Sequence, residues 1–507
     1  MKKTNSIACI LLFFLAFCAV ASCKSAENGK NSDSSNVGIS SSEPSNGGSE
    51  NSSSEPSNGG SENSSGDSSE LKDNVNWGAD IFENVFAFSS SSYTVLVGGT
   101  ISMPLNVRAI ADYDESLLQI EVSDEDILRP EAGSYYALSE GEVRVTAKYN
   151  GGQLTASAQV TVCQPVAAEE VAAFSSEAFV VQGRAYEKTD GALTFDNVNS
   201  GLEYWFYGTE SIVKFSVPSS YSGNDLYVCV YVDDSESGNF FPLNNYGADV
   251  EYSVTGKLSK GLHKVVLLKA TEQSLWTANS RSMVISEVVQ DENCTIVKRR
   301  DRQNRMRIDF YGDSITCGLS NLGASTNYST SEENGTLTYA ALTGRAMDAL
   351  VSCVSYSGIT IGCEYNLGNT TMLSLWQSYS ALYTERYAVA ADYVVINLGT
   401  NDASALAQGE TTPEEIKTAA KDLLAAMRTA YGSDTKIIWA YGMMGEETLV
   451  KTQIQAAMTE LGGESSGYYY LSLDQKFAGG AGGHPLVKGH EAAAETLTAY
   501  LRGLQGE

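Results

Sequence analysis

The 507 residues include only three histidines, His263, His484 and His490, so chemistry that needs an imidazole has few places to occur. A serine hydroxyl is a weak nucleophile until a base takes its proton, and a neutral imidazole suits that task near pH 7. One serine stands in a distinctive setting, Gly312-Asp313-Ser314-Ile315. Further along come Gly358, then Gly399-Thr400-Asn401-Asp402, then His484-Pro485. Attack by such a serine on an ester carbonyl would create an oxyanion that needs preorganised donors. Glycines let backbone N–H groups approach that oxygen closely, and an asparagine amide supplies another donor.

The elements that must position these residues are legible around them. Ile308-Asp309-Phe310-Tyr311 reads as a strand running into the serine signal, and Leu350 to Tyr356 as a strand just before Gly358. Tyr393 to Leu398, a nearly unbroken apolar run ahead of Gly399, is what a strand covered on both faces requires. Lys436 to Tyr441 and Tyr468 to Leu473 continue the series. Helices alternate with the strands. The clearest has Thr412 as N-cap, Pro413 at its first position and Glu415 completing a capping box. Ile416, Ala420, Leu423, Leu424 and Met427 form its apolar stripe, and Gly432 marks its end. This alternation predicts a three-layer α/β domain with a parallel sheet over 301–507, binding ligands at the carboxyl ends of its strands. His263 falls in a predicted strand before that domain. His490 opens the last helix, where a capping or packing role suits it, which leaves His484.

In this order the four signals resemble the four blocks of the SGNH, or GDSL-type, hydrolases, whose sheet is flavodoxin-like. The resemblance implies Ser314 as nucleophile and His484 as its base. It also implies an oxyanion hole made by the backbone N–H of Ser314, the backbone N–H of Gly358 and the side chain of Asn401. One departure matters. These enzymes commonly place an aspartate three residues before the histidine, and here Gly480-Ala481-Gly482-Gly483-His484 puts Ala481 there. A Ser–His dyad is therefore expected, its imidazole oriented by a backbone carbonyl or by a remote acid such as Asp474. The imidazolium would be less stabilised than in a triad.

Upstream, 164–300 is strand-rich with frequent turns, as in Ser211 to Val217, Leu226 to Val232 and His263 to Lys269, which fits a β-sandwich or jelly roll. Gly183-Arg184, Tyr207-Gly208-Thr209, Leu258-Ser259-Lys260-Gly261-Leu262-His263 and Lys269-Ala270-Thr271-Glu272 are similar to the N-terminal domain of carbohydrate esterase family 2. So is the junction Asn304-Arg305-Met306-Arg307-Ile308-Asp309-Phe310. The resemblance covers 180–507. It implies an acetyl xylan esterase-like carboxylic ester hydrolase that deacetylates plant polysaccharides such as xylan or glucomannan through an acyl-enzyme on Ser314. Trp376 could stack on a sugar ring near the cleft or pack a helix face. Trp205 and Trp276 could be sugar platforms or sandwich core.

The N-terminus reads as an export signal: Lys2 and Lys3 precede an apolar stretch, Ile7 to Val20, too short to span a bilayer comfortably. Val20-Ala21-Ser22-Cys23 resembles a bacterial lipobox. Residues 1–23 are thus expected to be a lipoprotein signal, with Cys23 lipidated and the exported protein anchored on a bacterial membrane without spanning it. Residues 24–74 are nearly all Ser, Asn, Gly, Glu, Asp and Lys, with SEPSNGGSENSS at 42–53 and again at 54–65. Such a segment buries too little apolar surface to offset its ordering entropy, and as a coil of about fifty residues it would span roughly 40 Å. In 75–163, alternating runs flank Asn150-Gly151-Gly152, a hairpin signal. The stretch VTAKYNGGQLTASAQVTV resembles a bacterial Ig-like module, for which a spacer role is expected.

With 33 basic and 62 acidic residues the formal charge is −29, which disfavours nucleic acid as a partner and leaves neutral glycans open. The nine cysteines match no zinc pattern, and neither a metal nor another cofactor is expected. The six beyond Cys23 form either disulfides or buried thiols. Two rival readings stay open at this level: a carbohydrate-binding lipoprotein without turnover, and an esterase for small acyl or lipid esters.

Overall fold

A computed structural model describes residues 86–506, apart from 176, 218–223, 274, 276–280, 299–304 and 324–327. The expected signal, Cys23, the linker and Trp276 lie outside the described residues.

As far as Cys163 the chain forms short strands. The largest sheet there orders Ser92–Leu96, Leu154–Cys163, Gly141–Tyr149 and Leu118–Val122. The hairpin forms with Gly141 opposite Val162 and Tyr149 opposite Leu154. Its turn residues Asn150, Gly151 and Gly152 all have positive φ. Burial alternates along both strands, so Val143, Val145, Ala147, Ala158 and Val160 line one small core.

Two antiparallel sheets follow. The first orders Phe179–Gln182, Gly201–Gly208, Gly261–Lys269, Leu226–Val232 and Asn239–Leu243, with Cys294–Val297 also paired to Gly201–Gly208. The second orders Tyr186–Glu187, Leu193–Phe195, Met283–Val288, Ile212–Val217 and Gly247–Ser253. Leu202, Tyr204, Phe206, Val265 and Leu267 of the first share one core with Phe195, Val213, Phe215 and Ile285 of the second. The sheets therefore face one another as a sandwich.

The remainder is built on five strands, β1 (Arg307–Gly312), β2 (Leu350–Ser355), β3 (Tyr393–Asn397), β4 (Lys436–Tyr441) and β5 (Tyr468–Ser472). They are parallel throughout, in the order β2-β1-β3-β4-β5. That is the flavodoxin-like order, with its switch point between β1 and β3. Between and after the strands run α1 (Ser314–Cys317), α2 (Tyr339–Ala346), α3 (Met372–Leu375), α4 (Thr400–Gln408), α5 (Pro413–Tyr431), α6 (Thr448–Glu460) and α7 (Val487–Gln505).

Every residue of β3 is buried. Val394 and Ile396 pack with Ile416, Leu423 and Ile454 of α5 and α6, whereas Val395 packs with Ala340, Leu497 and Leu501 of α2 and α7. Helices on both faces are why the strand reads as an apolar run without alternation. Helix α5 starts with the capping box: Glu415 N–H donates to Thr412 Oγ1 at 3.3 Å, and Thr412 N–H to Glu415 Oε2 at 2.9 Å. It buries Ile416, Ala420, Leu423, Leu424 and Met427.

Candidate active site

In the register of the parallel sheet Gly312, the last residue of β1, lies beside Ser355 of β2 and Asn397 of β3. Ser314 follows Gly312 by two residues, Gly358 follows Ser355 by three, and Asn401 follows Asn397 by four. The sheet thus delivers three separate segments to one end of three neighbouring strands. The turn from β1 into α1 is tight. A Cβ on Gly312 would lie 2.0 Å from Thr316 Oγ1, so only glycine fits. Asp313 caps α1, its carboxylate accepting from Ile315 N–H at 3.0 Å. Ser314 becomes the first helical residue, where a backbone N–H has no partner within the helix.

His484 arrives from the loop between β5 and α7. Its Nε2 lies 2.7 Å from Ser314 Oγ, and its Nδ1 lies 2.5 Å from the carbonyl oxygen of Ala481. A carbonyl can only accept, so Nδ1 carries the proton and Nε2 is left with its lone pair toward the serine hydroxyl. This is the tautomer a general base needs. The turn is built for that bond: Gly482 and Gly483 take φ values of 64° and 85°, which fold the chain back so that Ala481 lies under the ring that follows. The histidine carbonyl accepts from Gly479 and Gly480 N–H at 3.1 and 3.0 Å, and Val487 N–H donates to Asn321 O at 3.0 Å, just beyond α1. Burial holds the His484 pKa below its usual 6.5, against the Ala481 bond, which favours the protonated ring. Asp474 is exposed and pairs with Lys476 at 3.3 Å. The orienting group is the backbone carbonyl.

On the opposite side Asn401 Nδ2 donates to Ile359 O at 2.9 Å. The Asn366 amide bridges the two predicted donor segments, 3.4 Å from both Gly358 O and Asn401 Oδ1. One N–H of the Asn401 amide is occupied by Ile359, and the group has a second. Neighbouring Asp402 accepts from Ile361 N–H at 3.1 Å, tying the Gly358 turn to the start of α4. Burial pushes both the Asp313 and the Asp402 carboxyl up to about 7.

The other candidates lie elsewhere. His490 is buried and accepts from Tyr339 N–H at 3.2 Å at the start of α2. His263 is held in the sandwich, its Nδ1 2.8 Å from Asp233 and its Nε2 2.8 Å from Ser259 O. Trp376 does not offer a sugar platform. It is 6 % exposed and packs between the rings of Tyr311 and Tyr431 in the core that α5 covers. The apolar neighbours Met372 and Leu375 face the same core, and the indole goes with them. Trp205, on the sandwich, is half-buried beneath Lys264 Nζ at 5.6 Å. Cys229, Cys294, Cys317 and Cys353 are buried thiols, and burial pushes Cys294 and Cys353 up to about 12.

Sequence reasoning missed Asn366 and the restraint that Asp402 places on Ile361. Asp402 had a signal, standing next to Asn401 in the Gly399 motif. Asn366 had none, because its role depends on a loop folding back.

Comparison with known proteins follows the same lines. Residues 310–492 match the GDSL-like lipase/acylhydrolase family. A cellulase/esterase, CelE, of Acetivibrio thermocellus is 29% identical over 325 residues, which are 61% of this chain and 37% of that protein. The chain thus spans little more than a third of the length of this curated relative. A family two carbohydrate esterase from Clostridium thermocellum, solved in complex with cellohexaose, superimposes with a TM-score of 0.56 at 25% identity, covering 65% of this chain and 99% of that one. An acetyl xylan esterase from the rumen bacterium Butyrivibrio proteoclasticus shares the fold, with a TM-score of 0.57 at 20% identity over 66% of this chain and 96% of that one. With a GDSL-like segment over 310–492 and the sandwich ahead of it, the chain is similar in sequence and fold to the family 2 carbohydrate esterases.

Proposed function

We propose that this protein removes O-acetyl groups from plant cell-wall polysaccharides of the xylan or glucomannan kind, using Ser314 and His484 as a dyad. The observation that carries the reading is the line Ser314 Oγ, His484 Nε2, His484 Nδ1, Ala481 O, with distances of 2.7 and 2.5 Å. In the first step Nε2 takes the Ser314 proton while Oγ attacks the acetyl carbonyl. The carbonyl oxygen becomes an oxyanion, received by the N–H of Ser314, the N–H of Gly358 and the Asn401 amide. The imidazolium then protonates the departing sugar hydroxyl, leaving an acetyl ester on Ser314. Water, deprotonated by the neutral ring, attacks that ester, acetate departs and the serine is restored. The Ala481 carbonyl keeps the ring in register through both steps and supports the imidazolium with a dipole, more weakly than a carboxylate would.

The glycan substrate rests on the likeness to proteins that act on or bind carbohydrate. The strand-rich segment before Cys163 is then a spacer, and a lipidated Cys23 would hold the enzyme at a bacterial surface. The test is a substrate panel of acetylated xylan, acetylated glucomannan and a long-chain acyl ester. Acetate release from the glycans, with little cleavage of the long ester, is expected. The reverse order would overturn the substrate, and binding of the glycans without release from any of them would overturn the reaction.

A further inference from the structure

The turn that carries Gly358 is held from two sides by carboxylates that belong to different domains. Asp402 of the hydrolase fixes its far end through Ile361 N–H. The near end is fixed by the sandwich. Beyond strand Gly261–Lys269 the chain runs through Ala270, Thr271, Glu272 and Gln273, all at most 3 % exposed. Glu272 points its carboxylate across the domain seam, and Oε2 accepts the backbone N–H of Ser357 at 2.9 Å. Ser357 immediately precedes Gly358.

Glu272 is itself immobilised. Its N–H donates to Glu333 Oε1 at 2.5 Å, Glu333 Oε2 accepts from Tyr328 OH at 2.5 Å, and Arg281 donates to that same phenol oxygen at 2.8 Å. One residue earlier Thr271 O accepts from the buried Lys269 ammonium, and Ala270 O from Gly335 N–H at 2.7 Å. A carboxylate receiving a backbone N–H makes a short, strong bond, and here it fixes the peptide unit next to a predicted oxyanion donor.

We propose that Glu272 is a positioning residue of the active centre. By anchoring Ser357 it aims the Gly358 N–H, so the sandwich completes the oxyanion hole. What counts is the acceptor oxygen. A bare negative charge near the oxyanion would work against it, and here Lys269 and Arg281 face the Glu272 and Glu333 carboxylates. The proposal rests on the esterase reading above.

The experiment measures kcat and KM for acetate release by the full chain, comparing wild type with Glu272→Ala and Glu272→Gln, each checked by thermal melting. Displacing one oxyanion donor should lower kcat of Glu272→Ala by about 10- to 100-fold with KM little changed. Glu272→Gln keeps an acceptor oxygen and should recover most of the loss. If Glu272→Ala does not fold, Glu272→Leu, which fills the space without an acceptor, is read in its place. A kcat that stays at the wild-type value in Glu272→Ala or Glu272→Leu, or one that falls equally in Glu272→Gln, overturns the proposal. A wild type that releases no acetate overturns the esterase reading first, and this inference with it.

Discussion

At the scale of single residues, three things decide how the His484 ring behaves: the Ser314 hydroxyl, the Ala481 carbonyl and its burial. Only the neutral ring can take a proton. Burial disfavours the charged form and the carbonyl bond favours it, with burial the larger effect. The acid limb of kcat/KM, which reports the free enzyme's base, should therefore have its midpoint below pH 6.5. A pH–rate profile checks this, and a midpoint above 6.5 would mean that an unseen acid supports the ring. Much of the site was legible at this scale, because glycines, a serine and an asparagine directly follow strands whose apolar runs were clear. Ala481 was legible as a departure. That its carbonyl takes over the orienting role depends on the two left-handed glycines after it, whose φ values no spacing rule supplies. Glu272 was illegible as a functional residue, since its partner Ser357 lies 85 residues away on another domain.

The elements were the most legible level, since each is governed by local periodicity and caps. β4 has the bounds read from sequence, and β1, β2, β3 and β5 differ at their ends by one or two residues. Helix α5 follows its sequence pattern from cap to stripe, and its two kinds of residue should behave differently. Thr412→Ala removes an N-cap acceptor at an exposed end and should cost about 1 kcal/mol. Leu424→Ala empties a fully buried site between α5 and the sheet and should cost about 2–5 kcal/mol. Urea unfolding of the two variants checks the order, and a cap variant costing as much as the core variant would contradict it. Trp376 shows where periodicity is not enough. An aromatic at the end of a short apolar helix can face the cleft or the core, and only the packing of Tyr311 and Tyr431 decides.

At the scale of the molecule, the sandwich and the hydrolase domain are joined by buried polar groups. Arg184, 2 % exposed, leaves the sandwich and enters the hydrolase core. There it donates to Trp376 O at 2.8 Å, to Ser378 O and to Tyr311 OH at 2.7 Å, and its guanidinium lies 4.8 Å from the Tyr387 ring centroid. Asn197 adds a bond to Tyr379 O at 2.8 Å, and Arg305 pairs with Glu203 at 2.6 Å. Sequence showed two β segments and an α/β segment in order, but long-range seams of this kind leave no local pattern. The two domains should unfold in one calorimetric transition. Arg184→Ala strands several buried acceptors and should lower the stability of both domains by about 3–5 kcal/mol. Two separated transitions in the wild type, or no change in the variant, would show that the seam is not a structural unit.

The central claim is that Ser314 and His484 perform the hydrolysis. It is tested most directly by acetate release from acetylated xylan by wild type, Ser314→Ala and His484→Ala, each verified as folded. The account predicts release by wild type and a fall of about 10³-fold or more in both variants. Release that persists undiminished in Ser314→Ala would contradict it.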